Sequence, residues 1–474
     1  MAYTHSRNRA LLGAAIACCA ALSLAGCSNE ATPPQASPSP TQTITAPTRE
    51  DITVNETLTN DVAGEHVIEA DATKAEYTNI AVVKTGDSGQ NDEADFYGDN
   101  SAIFATNGAT LNLRELIVNT DGTHANAIFS YGEGTSVTIA DSVIETQNDM
   151  SGGLMTTGGG TMNAQNLRVT THGNSSAAIR SDRGGGTVNV TGGIYTTNGR
   201  GSPAIYSTAD ITVNKAQLEA TASEGVVIEG KNSVSLNDVV MIADHNVHNS
   251  DKSNNYNAVM IYQSMSGDAA EGQGDFSMSG GSLTNVKGDI FFVNNTIASI
   301  TLEDVKITNN DKDGVFLRAA AAGWGTEGSN GGQLDLHATK QRIDGNLLVD
   351  EVSNLNLYLG KGSTLTGAIN PEGAAGEVYV EMSQGATWTL TADSYISSLT
   401  APAGTINLNG HTLYVDGTPY KDGTASKGSA IEHKASVGGF DPGAGGLGGG
   451  QPPMGPGGGN GVPLMPDGAP PPQP

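Results

Sequence analysis

The feature that most constrains this chain is a short pattern that recurs every 25 or 26 residues. Each copy has a small residue, an aliphatic residue, a large residue and then small polar residues before a glycine-containing turn. The aliphatic positions lie 25, 26, 25 and 26 residues apart; they are Ile103, Ile128, Leu154, Ile179 and Ile205. A fixed period of this length indicates a protein built from stacked structural repeats.

Two further segments recur with the same step. The first alternates apolar and polar residues, as in residues 110–113 and 187–190, and this two-residue period is that of a β-strand. The second carries an apolar residue followed two positions later by a threonine; its copies begin at Val118, Ile144, Val169 and Tyr195. Three short strands per turn, with Gly and Asn at the corners, predict an all-β parallel β-helix. Residues one repeat apart then become vertical neighbours.

The later chain keeps strand-like segments but spaces them more loosely, up to residue 408. Residues 244–257 and 319–332 interrupt the pattern, and we expect them to be loops that leave the helix. Residues 51–420 are therefore assigned to the β-helix. A β-sandwich is the alternative all-β fold, but it joins antiparallel strands at irregular spacing and gives no reason for a constant step.

The beginning of the chain differs from the repeat region. It is basic, then apolar over residues 10–24, and reaches Leu24-Ala25-Gly26-Cys27, which is the pattern of a secretory signal. These four residues resemble the lipobox of bacterial lipoproteins. The resemblance implies cleavage before Cys27 and a lipid on its sulfur. The alternative is an ordinary cleaved signal peptide with an incidental cysteine.

These features predict the remaining domain boundaries. Residues 1–26 are expected to be a lipoprotein signal peptide, and residues 27–50 the lipidated cysteine with a disordered Pro/Ser/Thr-rich stalk. Residues 421–474 are expected to form a disordered Gly/Pro-rich tail. The mature protein would then be held at the cell surface by its lipid in a membrane, with an extracellular domain.

The net charge and the cysteine content of the chain bear on its partners and on its crosslinks. The 474-residue chain has a formal net charge of −27, and loss of the signal with Arg7 and Arg9 leaves 21 basic against 50 acidic side chains. Because an acidic surface repels phosphate, nucleic acid is not expected as a partner. Cys18 and Cys19 lie in the signal, so Cys27 is the only mature cysteine and no intrachain disulfide can form.

The coil period resembles that of the right-handed parallel β-helix (pectate-lyase-like) superfamily, which includes pectate lyases, polygalacturonases and adhesin-like bacterial surface proteins. The resemblance covers most of the mature chain and implies a single-stranded, right-handed helix. Polygalacturonase-type enzymes carry Asp-Asp, Gly-His-Gly and Arg-x-Lys motifs. This chain has none of them, and the nearest match is residues 409–412, Asn-Gly-His-Thr. We therefore expect a non-catalytic adhesin or a carbohydrate- or protein-binding module.

Two other functions remain open. Lyases of this superfamily use an arginine base near acid-bound calcium, so Arg180, Asp182 and Arg183 are the candidate catalytic cluster of a polysaccharide lyase or glycoside hydrolase. Their ordinary explanation is a corner ion pair before a glycine turn. The third candidate is an envelope spacer without a ligand.

Three weaker patterns have ordinary structural explanations. Residues 309–314 resemble the first half of a calcium loop, but the closing position is Ala320 instead of glutamate, so calcium is only weakly indicated and no cofactor is expected. His245 and His248 have a spacing that zinc sites use, within an irregular loop. A threonine column allows an ice-binding interpretation, although threonine is simply a favourable strand residue; it comprises Thr120, Thr146, Thr171 and Thr197.

The residue after each aliphatic position gives the main binding hypothesis. If the aliphatic residues point inward, strand alternation points the next residues outward; these are Phe104, Phe129, Met155, Arg180 and Tyr206. Arg180 fixes the orientation, because an unpaired guanidinium among stacked aliphatic side chains would be very costly. We expect an exposed row that binds an extracellular glycan or a surface protein. The alternatives are that a loop covers the row or that its aromatics stabilise the sheet.

Overall fold

The computed structural model describes residues 44–89 and 91–434. The predicted signal peptide, Cys27 and the chain beyond residue 434 lie outside the described residues. The described chain winds through three long parallel sheets, named A, B and C in the order in which each coil visits them. It is a parallel β-helix, as the 25-residue period predicts.

Within the described residues, sheet A has ten strands, sheet B eleven and sheet C thirteen. Sheet A comprises Glu56–Asn60, Ile80–Lys84, Ile117–Thr120, Val143–Thr146, Arg168–Thr171, Ile194–Thr197, Gln217–Ala220, Val240–Ala243, Ser282–Asn285 and Lys306–Asn309. Sheet B comprises Ile68–Asp71, Ile103–Thr106, Ile128–Tyr131, Leu154–Thr157, Ile179–Ser181, Ile205–Ser207, Val226–Glu229, Asn257–Tyr262, Asp289–Asn294, Leu317–Ala319 and Leu347–Val349. Sheet C comprises Lys74–Thr78, Thr110–Arg114, Ser136–Ala140, Gly160–Gln165, Gly186–Thr191, Asp210–Asn214, Ser233–Asn237, Gln273–Ser279, Thr296–Glu303, Gly332–Thr339, Asn354–Leu359, Glu377–Met382 and Ser398–Thr400.

Two small sheets complete the last coils. Sheet D comprises Arg342–Asp344, Thr364–Thr366, Thr387–Thr389 and Ile406–Asn407. Sheet E comprises Ser394–Ile396, Leu413–Val415 and Thr418–Pro419, with its last pair antiparallel. A 3₁₀ turn spans Arg49–Asp51 and one short α-helix spans Asn91–Tyr97. Neither of these helical segments of the described chain is long enough to cross a membrane.

Strand register confirms the predicted stacking. Ile103 pairs with Ile128, Ile128 with Leu154, and the column continues through Ile179 to Ile205. All five are completely buried in one continuous apolar core. The second and third repeat segments pair in the same way in sheets C and A. Each coil therefore buries its apolar face against the coils above and below it.

The corner from sheet C to sheet A begins with a residue in the left-handed region, where φ is positive. It recurs with φ between 49° and 69° at Asn79, Glu115, Asp141, Asn166, Gly192, Lys215, Asp238, Gly280 and Asp304. The expectation of Gly and Asn at corners is thus only partly right. Glutamate and lysine also accept this conformation, because the stacked coils stabilise it at every level.

The threonine column closes the opposite corner, from sheet A to sheet B. The Thr146 hydroxyl donates to the Ser151 carbonyl at 2.6 Å, and Thr171 donates to the Ser176 carbonyl at 2.5 Å. Thr197 makes the same bond. These three threonines therefore form a structural clasp, whereas the Thr120 hydroxyl has no hydrogen-bond partner within the described residues. All four are buried, so the column presents no surface for ice.

The stalk and the tail were predicted to be disordered, and this is wrong for the parts of them next to the helix, residues 44–50 and 428–434. Residues 44–50 lie along sheet A, where Arg168 Nε donates to the Pro47 carbonyl at 2.8 Å and Arg49 pairs with Glu145 at 2.6 Å. Residues 428–434 lie along sheet C; the Ile431 N–H donates to Asn356 at 2.9 Å. These segments are ordered because polar side chains of the sheets bind their backbones, which composition does not report.

Candidate binding cleft

Sheet B is the face on which the chain builds a site. Insertions 85–101 and 244–256 enter it from the sheet A side, and insertions 263–272 and 320–331 leave it toward sheet C. The two predicted loops are therefore confirmed as segments without strands. The other two insertions were not predicted. Because the four insertions flank both edges of one sheet, they wall and partly cover its outer face.

The five side chains that were predicted to form an exposed row do point outward from sheet B, but the prediction that they are exposed is wrong. Phe104, Phe129 and Met155 form an outer apolar cluster separate from the interior core, and Tyr206 belongs to a second outer cluster. Their exposed fractions are only 8%, 0%, 0% and 5%, and that of Arg180 is 1%. The row points outward, but the insertions bury it.

The segment around the short helix covers the first part of the row. His66, from the connection that precedes strand Ile68–Asp71, adds to this cover, because its ring stacks on Phe104 with the ring centroids 4.5 Å apart. Gly98, at φ +87°, lies directly on the rings, since a Cβ there would come within 2.5 Å of Phe104 and 3.0 Å of Phe129. Glycine at this position allows the close approach of backbone to aromatic rings.

Beneath the same cover lies a buried ionic network. Arg180 donates through Nε and Nη2 to Asp182 Oδ2 at 3.1 and 2.7 Å, and its Nη1 lies 3.9 Å from Asp95 Oδ1 on the helix. Arg183 lies 3.8 Å from the ring centroid of Phe96 and 2.8 Å from Asp268, so it ties the helix to insertion 263–272. The candidate catalytic cluster thus holds two covering segments together.

A second group of polar side chains continues the network. The hydroxyls of Tyr206 and Tyr262 both donate to Glu229 Oε2, at 2.5 and 3.2 Å, and Ser264 binds Glu229 Oε1. Burial raises the pKa of Glu229 above its ordinary value. Burial likewise raises the pKa of Asp182 to about 7, against the opposing effect of Arg180. Desolvation favours the neutral acid in both cases.

Beyond these covered residues, the face opens into a small cleft of about 70 Å³, below the volume of sites that enclose drug-sized ligands. Its floor is apolar and aromatic; it is formed by Tyr206, Val227, Met260, Tyr262 and Trp324. The rings of Tyr262 and Trp324 meet edge to face, with centroids 5.2 Å apart and planes at 67°. The floor therefore combines the outer face of sheet B with a tryptophan from insertion 320–331.

Insertion 244–256 forms the polar wall of the cleft. It contacts insertion 320–331 through the Gly323 N–H, which donates to the Lys252 carbonyl at 2.7 Å. It also closes on Gly201, where a Cβ would lie 2.3 Å from Asn249. Gly201 has φ +63°, so any side chain at this position would push the wall away.

The cleft lining contains one carboxylate, one lysine and two histidines. Glu224 lies 3.5 Å from His245 Nδ1, and that nitrogen accepts the Asn257 N–H at 3.3 Å. Burial and the neighbouring His245 lower the pKa of His248.

The metal hypotheses are not supported by geometry. The rings of His245 and His248 pack around Tyr256, His248 being stacked on it at 3.9 Å. Asp311 accepts the backbone N–H groups of Gly288 and Asp313, as in an ordinary Asx turn. The described residues contain no group of three His, Cys, Asp or Glu side chains that could hold a metal ion.

Of the five predicted binding residues, only Tyr206 lines the cleft. Trp324, Tyr262, Met260 and Asn257 were missed. The signal for Trp324 was its place in a long insertion, since functional residues concentrate on loops fixed to a rigid scaffold. Tyr262 pairs directly with Glu229, but the looser repeat spacing hid that register. Comparison with family models, curated proteins and solved structures found no match.

Proposed function

We propose that this chain is a non-catalytic cell-surface lipoprotein, an adhesin-like β-helix that binds an extracellular glycan or surface protein in the cleft on sheet B. The observation that carries the proposal is the cleft itself, because insertions from both edges of sheet B meet above an aromatic floor. Clefts with apolar floors and a few polar groups are the usual form of ligand sites. The lipobox-like sequence ending at Cys27 supports anchoring in a membrane.

The lyase or glycosidase hypothesis gains less support from the same face. A general base must reach the proton that it removes, but the exposed fractions of Arg180 and Asp182 are 1% and 2%. Arg183 is engaged with Asp268 and Phe96. The spacer hypothesis gives no reason for a cleft whose walls are joined by hydrogen bonds.

Binding of the purified mature chain to glycan arrays and to intact cells tests the proposal. We expect wild-type protein to bind and Trp324→Ala to lose most binding. Tyr97→Ala is the matched control, because Tyr97 is a 41% exposed aromatic outside the cleft. Equal binding by wild type and Trp324→Ala would contradict the cleft proposal, and no binding by wild type would favour a spacer.

Two further assays separate the other parts of the proposal. Release of unsaturated or reducing ends from a panel of acidic and neutral polysaccharides would contradict the non-catalytic assignment. For the anchor, radiolabelled palmitate should enter the wild-type protein in cells and should not enter Cys27→Ser. Labelling of both proteins would contradict lipid attachment at Cys27.

A further inference from the structure

The charged side chains of the cleft indicate which class of ligand it can bind. This inference rests on the proposed binding function. An anionic ligand would need cationic partners, but Lys252 is the only lysine or arginine in the lining. Its side chain packs on Gly323, where a Cβ would come within 2.8 Å of Lys252 Cδ. A cationic ligand would need a carboxylate that is free to approach it. The Glu224 side chain is only 12% exposed and accepts the Ser223 hydroxyl at 2.7 Å.

One buried polar atom in the lining has no partner. Asn257 is 1% exposed, and its Nδ2 makes no hydrogen bond within the described chain. A buried amide donor without an acceptor costs about 1–3 kcal/mol. Because Asn257 is in the cleft lining, a turn of its amide toward the cleft would bring this donor to an acceptor oxygen of a ligand.

The floor supplies the complementary apolar surface. Trp324 is partly buried, and it packs with Met260 and Tyr262 in the outer cluster on sheet B. An aromatic ring that presents part of its surface beside a hydrogen-bond donor suits a ligand with an apolar face and polar edges. A pyranose ring has this character, since its C–H groups form faces and its hydroxyls lie around the rim.

We propose that the cleft binds one uncharged pyranose ring of an extracellular glycan, with a ring face against Trp324 and an oxygen that accepts from Asn257 Nδ2. The imidazole rings of His245 and His248 add hydrogen-bonding nitrogens to the same lining. Selection among sugars then comes from hydroxyl geometry, because the lining has one lysine and one carboxylate of opposite charge.

The two tryptophans of the chain allow a direct test. Trp388 is fully buried in the helix core and donates to the Gly367 carbonyl at 3.0 Å, so a ligand in the cleft cannot reach it. In a Trp388→Phe protein, Trp324 is the only tryptophan. Its emission is to be titrated with uncharged methyl pyranosides of glucose, galactose, mannose and N-acetylglucosamine, and separately with methyl galacturonoside and choline.

A blue shift of Trp324 emission that saturates with at least one uncharged pyranoside is the expected result. Asn257→Asp should weaken that binding about tenfold or more, because it replaces the donor with a carboxylate, and Tyr97→Ala should leave it unchanged. Circular dichroism checks that each variant is folded. If Asn257→Asp does not fold, Asn257→Ser, which keeps a shorter donor, takes its place.

The outcomes distinguish this inference from the proposed function. Saturation by galacturonoside or choline alone would overturn the uncharged pyranose and leave a binding protein. The uncharged pyranose would also be overturned, and a binding protein would remain, if no small probe changed Trp324 emission while Trp324→Ala still abolished binding to intact cells. Silence of all probes together with no binding to cells or arrays would overturn both.

Discussion

The buried Arg180–Asp182 pair gives the sharpest test of how the outer face of sheet B is covered. The exposed fractions of the two side chains are 1% and 3%, and two hydrogen bonds of 2.7 and 3.1 Å join them. Removing one partner from such a pair leaves a buried charge and costs about 3–5 kcal/mol. We therefore expect Arg180→Met to reduce the free energy of unfolding by about 3–5 kcal/mol.

A second substitution separates the charge from the packing. In the double variant Arg180→Met, Asp182→Leu the carboxylate that Arg180 binds directly is gone. Asp95 stays buried and keeps its contact with His124, so part of the lost stability should return. Arg183→Met is the matched control. Because the Arg183 side chain is 42% exposed, its pair with Asp268 is screened by solvent and is worth about 0–1 kcal/mol.

Guanidinium titrations followed by circular dichroism measure these differences, provided that the slopes of the transitions agree between variants. The cost of Arg180→Met should be smaller at pH 5 than at pH 8, since protonation of Asp182 removes the buried charge. A cost below about 1 kcal/mol at pH 8, similar to that of an exposed pair, would refute the buried network. A double variant as unstable as Arg180→Met would also contradict the reasoning.

Three further predictions concern the network, the corner clasp and the stalk. The pKa of Asp182 is raised to about 7 from 3.8, so its protonated form stabilises the fold at low pH; stability should fall by up to about 4 kcal/mol as the pH rises from 4 to 7, and Asp182→Asn should flatten the denaturation profile. Thr171→Val removes the bond to the Ser176 carbonyl and should cost about 1–2 kcal/mol in thermal or chemical unfolding, whereas Thr138→Val, on an exposed face, should change stability by less than about 0.5 kcal/mol. Arg168→Ala should speed tryptic cleavage at Arg49 because it releases the backbone of residues 46 and 47, while Arg114→Ala, 61% exposed, should not; unchanged cleavage would contradict the docked segment.

The stacking of coils was predictable because it is written as a local repeat. Ile128 and Leu154 had to become neighbours once three strands of fixed length recurred, and the register confirms it. The outward direction of Arg180 followed from strand alternation and the cost of burying a guanidinium among aliphatic side chains. These inferences need only the period of the chain.

The binding face could not be predicted in the same way. The repeat gives positions along the coils, but the insertions that interrupt it have no period. Helix Asn91–Tyr97 reaches sheet B through contacts with distant residues, as when the Thr157 hydroxyl donates to the Phe96 carbonyl 61 residues away. Trp324 meets Tyr262 only because insertion 320–331 folds back over the outer face of sheet B.

The amino-acid sequence by itself determined the β-helix, its interior columns and the side chains that leave each strand outward, because those depend on a repeated local pattern of burial. Only the tertiary structure decided which outward side chains are covered. Long-range contacts place the insertions, so the row at residues 104–180 became a buried network and the cleft formed around Tyr206, Tyr262 and Trp324.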